Sequence, residues 1–595
     1  MKRLSVLIQS LILLALLCAA APESKGLRRI TLLGTNDIHG SIESETDKKG
    51  QKVGGLALLK GAVQAIRTAA QSDSSTPSGV LLLDGGDQFQ GTLLSNYDEG
   101  QLVFSAMNEV GYDAAVPGNH DYDFGPIGWL DDRVNETNPD KNRRGALERL
   151  VRAARFPLID ANTYYRDSLV DYLGKPVAVK GSGCEPVDPN ALIDWTKARR
   201  PEIFAPYIIK NVADVRVALI GIDNQSTPTV TTLENVSDLC FRKEADEVIA
   251  LRQELEGKAD VFVLVMHDGD ADGQTTGSDL IAQILKARPG AVDAVIAGHT
   301  HHIDNVRIGP VPMIQSGANG KLFGRIDLTF DLDSHQIVSD KTQSSAGIKL
   351  VSGTSYDGIV TTESLDVLSL IQSARKTIAP LTDRVLGTAS AKLWRNRNGE
   401  SPLNNLLSDA MRDVTAADIS FINTGGIRDD IDAGDVTYEK LFKVIPFGNH
   451  AVVIGDVGAD TIVKMIERSI TTCGKFGALV PSGVRVLFYK DCKRQVDGID
   501  PEAQLLHVET LDKKVLFDRR DHILPDSNQK FTVGTFDFLA DGGSGADGLQ
   551  GKPRLKDLGI FREVITDRFV EHPFAAEAKT DGRWKALKPP AAPAQ

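Results

Sequence analysis

The chain has 595 residues, 42% apolar and 25% charged, the proportions of an ordinary globular protein and not of a disordered or fibrous one. At ~150 residues per domain the length allows two to four domains and excludes a single small one. With 80 acidic against 67 basic side chains the formal charge is −13, which argues against a protein that wraps a nucleic-acid polymer by neutralising its backbone. Any phosphate group bound here must be met by local cations.

The first residues read as a secretory signal. Lys2 and Arg3 precede an apolar run from Leu11 to Leu17, and Cys18-Ala19-Ala20-Ala21 supplies small residues for cleavage, so removal of residues 1–20 is expected. A membrane anchor is the alternative, but the run is short of the ~20 residues a span needs. A lipid-attachment site at Cys18 fits less well, because Leu16 and Leu17 are large. The mature protein is therefore expected to be exported, periplasmic or secreted, without a stable membrane anchor. Four cysteines then remain, Cys184, Cys240, Cys473 and Cys492, an even number suited to two disulfides in an oxidising compartment. Three pairings are open; proximity favours Cys184 with Cys240 and Cys473 with Cys492.

Residues 28–350 repeat one theme: a short Val/Ile/Leu-rich run, a turn containing Gly and Asp, then a stretch of helical periodicity. Uninterrupted apolar runs read as strands buried on both faces, so an α/β domain with packed central sheets is expected. Residues 133–144 and 165–200 interrupt it as surface insertions. Residues 361–383 are expected to form an interdomain helix with Leu365, Leu368, Ile371 and Ile378 on one face. A second, α+β domain follows over 384–575, and residues 576–595 read as a loose tail.

Five strands of the first domain end in similar chemistry. The runs ending near Thr35, Leu83, Val116, Val265 and Ala297 lead into Asn36-Asp37-Ile38-His39-Gly40, Asp84-Gly85-Gly86-Asp87, Gly118-Asn119-His120-Asp121-Tyr122-Asp123, Met266-His267-Asp268 and Gly298-His299-Thr300-His301. In an α/β sheet the carboxyl ends of strands open onto the ligand crevice. In Asp37-x-His39 and His299-x-His301 the spacing of two puts both side chains of a pair on one side of an extended chain, so each pair can grip one ion. Asp37, His39, Asp87, Asn119, His267, His299 and His301 are too many donors for a single ion. With one bridging carboxylate they suffice for two four-coordinate half-sites, and their mixed oxygen and nitrogen donors suit Zn, Mn, Fe or Co over Ca or Mg.

These five blocks, in this order, resemble the metallophosphoesterase signature of bacterial and animal 5′-nucleotidases. The resemblance continues in Asn423-Thr424-Gly425-Gly426-Ile427-Arg428, Pro446-Phe447-Gly448-Asn449 and Phe538-Leu539-Ala540-Asp541-Gly542-Gly543. It implies an α/β metallophosphoesterase domain, a layered β-sandwich flanked by helices, followed by an α+β substrate-binding domain. It also implies that Asp37, His39, Asp87 and His301 hold one divalent ion and Asp87, Asn119, His267 and His299 the other. His120 would then contact the phosphate and the leaving oxygen, oriented by Asp123. Phosphate calls for arginine, here Arg428, Arg397 and Arg395. A nucleobase calls for an aromatic slot, here Phe447 and Phe538, with Asn449 and Asn423 as polar partners. Two departures stand out. Ser544 occupies the position where the family usually has an aspartate for the ribose hydroxyls, and Asn404 stands where relatives usually have glycine.

The activity implied is metal-dependent release of phosphate from nucleoside 5′-phosphates, with a nucleotide as the small-molecule partner and the 361–383 helix as pivot between domains. The alternatives are a 2′,3′-cyclic nucleotide phosphodiesterase, a 3′-nucleotidase or a nucleotide-sugar hydrolase on the same scaffold. A non-catalytic nucleotide-binding surface protein is the alternative of a different class. Oligomeric state is not legible.

Overall fold

The computed structural model describes residues 26–128, 142–271, 274–471, 478–491 and 502–587. The signal-like segment, part of the first insertion, and Cys473 and Cys492 lie outside the described residues. Among the described residues no helix is long and apolar enough to cross a membrane.

Two sheets face each other in the first domain. One runs, in spatial order, Gln336–Ile337, Leu322–Asp331, Leu27–Thr35, Ser78–Asp84 and Ala114–Ala115, with Gln343–Lys349 also paired to Leu322–Asp331. The other runs Ile303–Ile308, Val311–Ser316, Ala294–Ile296, Val261–Met266, Val215–Ile222 and Tyr207–Val212. Leu32 and Leu83 from the first sheet meet Leu219, Val263 and Val265 from the second in one dry core. Every residue of Val261–Met266 is buried, which is what an unbroken apolar run requires of a strand covered on both faces. The second sheet's outer face packs under helices Glu244–Glu254 and Thr276–Ala287, through Val248, Leu251, Ile281 and Ile284. Leu56–Ser72 and Gln101–Val110 cover the outer face of the first sheet. The expected layered sandwich is present.

A disulfide joins Cys184, within the 165–200 insertion, to Cys240 beyond it. It ties the hairpin Val179–Lys180/Glu185–Pro186 to the strand Leu239–Phe241.

The second domain is α+β. Its five-stranded sheet runs Leu479–Ser482, Ile419–Asn423, Lys530–Phe536, His450–Gly458 and Arg554–Ile560. Helix Pro402–Thr415 packs on it, started by Ser401, whose hydroxyl accepts the Asn404 amide at 3.1 Å, and by proline in the first turn. Two expectations are corrected. The supposed tail contributes strand Trp584–Leu587, paired in parallel with Val484–Asp491, and Trp584 is buried against Phe488. Four residues on an edge are too few to stand out as a strand in the sequence. The connecting helix spans Leu365–Thr382, but its buried face is Val367, Ile371 and Ile378, while Leu365 is 80% exposed. Leu365 is the first residue of the helix, beyond the reach of its neighbours. The helix packs on Leu56–Ser72 and Gln101–Val110 of the first domain and on Tyr438–Val444 of the second. Its Arg375 pairs with Glu43 on one side and, at 2.6 Å, with Glu439 on the other.

Candidate active site

The strand ends converge as the sequence requires, but not through extended chain. Asp37, His39, Asp87, His299 and His301 have φ of 51°, 48°, 57°, 75° and 63°, in the left-handed region that side chains other than Gly, Asn and Asp seldom adopt. Each such residue costs on the order of 1 kcal/mol or more and persists only where its surroundings enforce it. Backbone bonds do so here: Asp37 N–H donates to Gly86 O, His39 N–H to Asp87 O and Gly40 N–H to Gln88 O, each at 2.9 Å. Asp121 clamps the neighbouring loop, accepting the amides of Gly118 at 2.7 Å and of Asp87 and Gln88 at 3.1 Å. Gly86 is needed for space as well as φ, since a Cβ there would lie 2.4 Å from His267 Nδ1.

Two groups of donors result, sharing Asp87. Asp37, His39, Asp87 and His301 present one ligand atom each within 4.8 Å of one another, and so do Asp87, His267 and His299. Asn119 joins the second group, its Oδ1 lying 3.1 Å from His267 Nε2 and 2.9 Å from His299 Nδ1. The pairs of spacing two behave differently. Asp37 and His39 share a group, whereas His299 and His301 divide between the two, although all four residues are left-handed.

The donor set fits divalent cations. His39 Nδ1 faces Gln90 O at 2.9 Å and His267 Nδ1 faces Gly85 O at 2.7 Å, so each ring donates from Nδ1 and turns Nε2 toward the cluster. Burial works against a charged His267, but the Asp87 carboxylate raises its imidazole well above the ordinary value, so Nε2 must shed a proton as an ion binds. His39 Nε2 and His301 Nε2 lie 3.0 Å apart. Burial holds the His39 and His299 imidazoles down at about 3, in the neutral, ligating form at physiological pH. Burial opposes ionisation of Asp87, yet its carboxyl lies well below its usual range because the charge and hydrogen bond of His267 outweigh that burial. Asn36 braces Asp37, donating to its Oδ2 and to Gly317 O at 2.6 Å.

His120 and Asp123 sit beside this cluster. His120 Nδ1 is 2.7 Å from Asp123 Oδ2, and the His120 amide donates to Asp87 Oδ1 at 2.9 Å. The second domain closes over them. The Phe447 ring lies 5.1 Å from the His120 ring, centre to centre, and Arg428 lies 5.6 Å over the face of Phe447. Arg428 Nη2 reaches 3.4 Å from His39 Nε2. Burial lowers the Arg428 guanidinium to about 10, still charged at neutral pH, and Arg397 and Arg395 repel it.

The remaining expected residues fall around Arg428. Arg395 and Arg397 are both exposed, and Arg395 is committed in part, donating to Ile427 O at 2.7 Å. Asn404, the departure from glycine, is buried and donates to Asn396 O and Gly399 O at 2.8 Å, thereby fixing the loop that carries both arginines. Phe538 packs against Gly543, where a Cβ would come within 2.5 Å of its ring. Asn423 is buried, its Nδ2 is 3.3 Å from Ser544 Oγ, and its Oδ1 has no hydrogen-bond partner among the described residues. Asn449 stays half-buried in its loop, its carbonyl accepting the Phe561 amide at 2.9 Å. Both aspartates flanking Ser544 are paired, Asp541 with Arg554 at 3.1 Å and Asp547 with Arg468.

Sequence reading missed several supports. Arg562, fully buried, donates to Ile445 O at 3.0 Å and Phe447 O at 3.2 Å and so holds the loop bearing Phe447. No motif marks it. Asp121 lies inside a motif already noted, and its position between two candidate site residues was the available signal.

Residues 30–302 match the family model of the calcineurin-like phosphoesterases, which with the donor cluster makes this a metal-dependent phosphoesterase. Residues 378–551 match the 5′-nucleotidase C-terminal domain. The chain belongs to the two-domain family that joins these modules, the 5′-nucleotidase family. It is 24% identical to Protein UshA of Escherichia coli (strain K12), over 93% of this chain and 92% of that protein. It is 26% identical to the snake venom 5′-nucleotidase of Gloydius brevicauda, over 95% of this chain and 90% of that protein. Among solved structures, a 5′-nucleotidase precursor from Thermus thermophilus superposes with a TM-score of 0.71 at 22% identity, covering 94% of this chain and all of that one.

Proposed function

We propose that the protein is an exported phosphohydrolase that binds two divalent ions, Zn, Mn, Fe or Co, and releases phosphate from nucleoside 5′-phosphates. The carrying observation is the approach of Arg428 to His39 at 3.4 Å: an arginine from the second domain is delivered to the donor cluster of the first. A phosphoryl group placed between them would meet a guanidinium fork from one side and the cluster from the other. The 5′-nucleotidase names borne by relatives that match 95% and 73% of the chain support the same substrate class.

Asp37, His39, Asp87 and His301 would hold one ion, and Asp87, Asn119, His267 and His299 the other. Two such ions, when bound, supply a nucleophilic water at neutral pH and neutralise charge on the phosphoryl oxygens. Asp123 occupies His120 Nδ1, so Nε2 is the nitrogen left to serve the leaving oxygen. As the phosphorus–O5′ bond breaks, His120 Nε2–H passes its proton to the ribose oxygen. Phe447 and Phe538 hold the base by stacking, and Asn423 and Asn449 address polar edges. Arg395 and Arg397 add positive charge beside Arg428. The reading divides the protein into a catalytic domain over 28–350 and a substrate domain over 384–575, with the connecting helix between them. Export rests on the signal-like N-terminus, and the Cys184–Cys240 disulfide accords with it.

The test is a panel of AMP, ATP, UDP-glucose and 2′,3′-cyclic AMP with added Mn or Zn, alongside elemental analysis. Phosphate release fastest from AMP, with two metal ions per chain, is expected. Preference for UDP-glucose or the cyclic nucleotide would move the assignment to another phosphoester, and nucleotide binding without turnover would reject catalysis.

A further inference from the structure

The carboxylate that orients His120 is itself held from behind. Asp123 Oδ2 takes the hydrogen bond from His120 Nδ1 at 2.7 Å, and Asp123 Oδ1 accepts one from the Thr231 hydroxyl at 2.8 Å. Thr231 is 3% exposed and directly follows the short helix Thr227–Val230. Threonine hydroxyls in and beside helices usually bond back to a nearby carbonyl, as Thr229 does here to Ser226 O at 2.7 Å. Thr231 instead reaches 108 residues along the chain to Asp123. Four residues further on, Asn235 Nδ2 donates to Tyr122 O at 2.8 Å and to Asp123 O at 3.1 Å, which fixes the same turn by its backbone. Segment 227–236 is thus a brace for the turn that carries His120: the Thr231 hydroxyl meets the Asp123 carboxylate, and the Val230 carbonyl accepts Asn119 Nδ2 at 2.9 Å.

We infer that Thr231 is a positioning residue for the leaving-group step: its hydroxyl locks the Asp123 carboxylate in the orientation that presents the His120 ring to the departing oxygen. The inference rests on the reading of His120 as proton donor to that oxygen. A carboxylate with one oxygen anchored and the other free can turn about its terminal torsion, which is broad and soft for aspartate. Anchoring both oxygens removes that freedom before substrate arrives. A hydroxyl donor also favours the ionised carboxylate that His120 needs as acceptor. The Thr231 hydroxyl bonds to Asp123 and not to the donor cluster, so its effect passes through His120; bound metal reports separately on the adjoining Val230 carbonyl, which holds Asn119.

The experiment compares AMP with its 5′-thio analogue, in which sulfur replaces the bridging oxygen and departs as a thiolate that needs no proton. Wild type, His120→Ala, Thr231→Val and Thr231→Ser are assayed for kcat and KM on both substrates and for bound metal. His120→Ala is expected to slow AMP by about a hundredfold or more and the thio analogue by under about threefold. Thr231→Val should slow AMP by about tenfold, the worth of a hydrogen bond to a charged group, with the thio analogue within about twofold, KM unchanged and metal retained. Thr231→Ser should restore AMP turnover to within about twofold of wild type. Thr231→Ala, which adds no bulk, should give the same split if the valine variant fails to fold. A Thr231→Val or Thr231→Ala variant that slows both substrates alike, loses metal, or matches wild type on AMP, or a Thr231→Ser variant as slow as Thr231→Val, overturns the inference while a selective His120→Ala leaves the role of His120 intact. A His120→Ala variant that slows both substrates equally overturns that role itself, and the inference with it.

Discussion

The two halves of the site are built on opposite principles. Most of the donor cluster is buried: Asp37, Asp87, Asn119 and His267 are each 1% exposed or less, while His299 and His301 are half-buried at its open side. Its residues are locked by backbone bonds between neighbouring loops and held in left-handed conformations over the dry core of two sheets. The substrate half is looser, with Arg397 exposed and Phe447, Phe538 and Asn449 half-buried in loops. Strain persists where a rigid sandwich enforces it and the geometry of reaction tolerates little error. Recognition of a flat base tolerates more error, because stacking is insensitive to small displacements. Damage to the first half should therefore destroy chemistry, and damage to the second should mainly weaken binding.

Asp87→Asn tests the first half at its most shared point. It removes the carboxylate common to both donor groups, so turnover should drop by about a thousandfold or more and metal content should fall. Retention of both metal and turnover would show that Asp87 does not join the two sites. Arg428→Ala tests the point where the halves meet. It should lower kcat/KM by about tenfold to a hundredfold, the worth of hydrogen bonds between charged groups, and leave metal content unchanged. Phe447→Ala should raise KM for AMP by about tenfold while kcat changes less. A larger loss in kcat than in KM would mean that the ring serves His120, 5.1 Å away, more than the base.

The contrast also explains what the sequence revealed. The donor cluster was legible because its residues come in short motifs after apolar strands, so a handful of positions in a fixed order carries the signal. Its local geometry was not, since left-handed φ at Asp37 or His301 is imposed by loops distant in sequence. The substrate half was legible only through resemblance, because Arg428 and Phe447 look like ordinary loop residues on their own. The supports Arg562 and Thr231 were invisible as functional residues, whereas Asn404 stood out as a departure from glycine but not by the carbonyls it holds. Arg562 acts on a carbonyl 115 residues away and Thr231 on a carboxylate 108 residues away, and no local pattern records such pairings. The strand at Trp584–Leu587 was missed for the same reason, since its partner lies far upstream and its own composition is plain.

The weakest effect tests whether the rigid half isolates its working end. Asp293 lies at the far end of the strands that carry His267 and His299. Its Oδ2 accepts the Phe262 amide at 2.8 Å, and its own amide donates to Phe262 O at 2.8 Å. Burial raises its carboxyl to about 6, against bonds from Phe262 and the charge of Arg252 that lower it. In the unfolded chain the same group titrates near ~3.9. Between these values the folded state binds more protons, so its stabilising contribution is complete below about pH 4 and fades as pH rises toward 6. Relative to Asp293→Asn, which does not titrate, the wild-type thermal midpoint should fall by about one or two degrees across that interval. At pH 7.5 the variant's turnover of AMP should stay within about twofold of wild type, because the substitution keeps an oxygen for Phe262 N–H and lies at the opposite end of the strands from the ligands. A parallel loss of turnover would show that the sandwich transmits strain along its strands, and the division between a rigid catalytic half and an adaptable binding half would fail at its stiffest point.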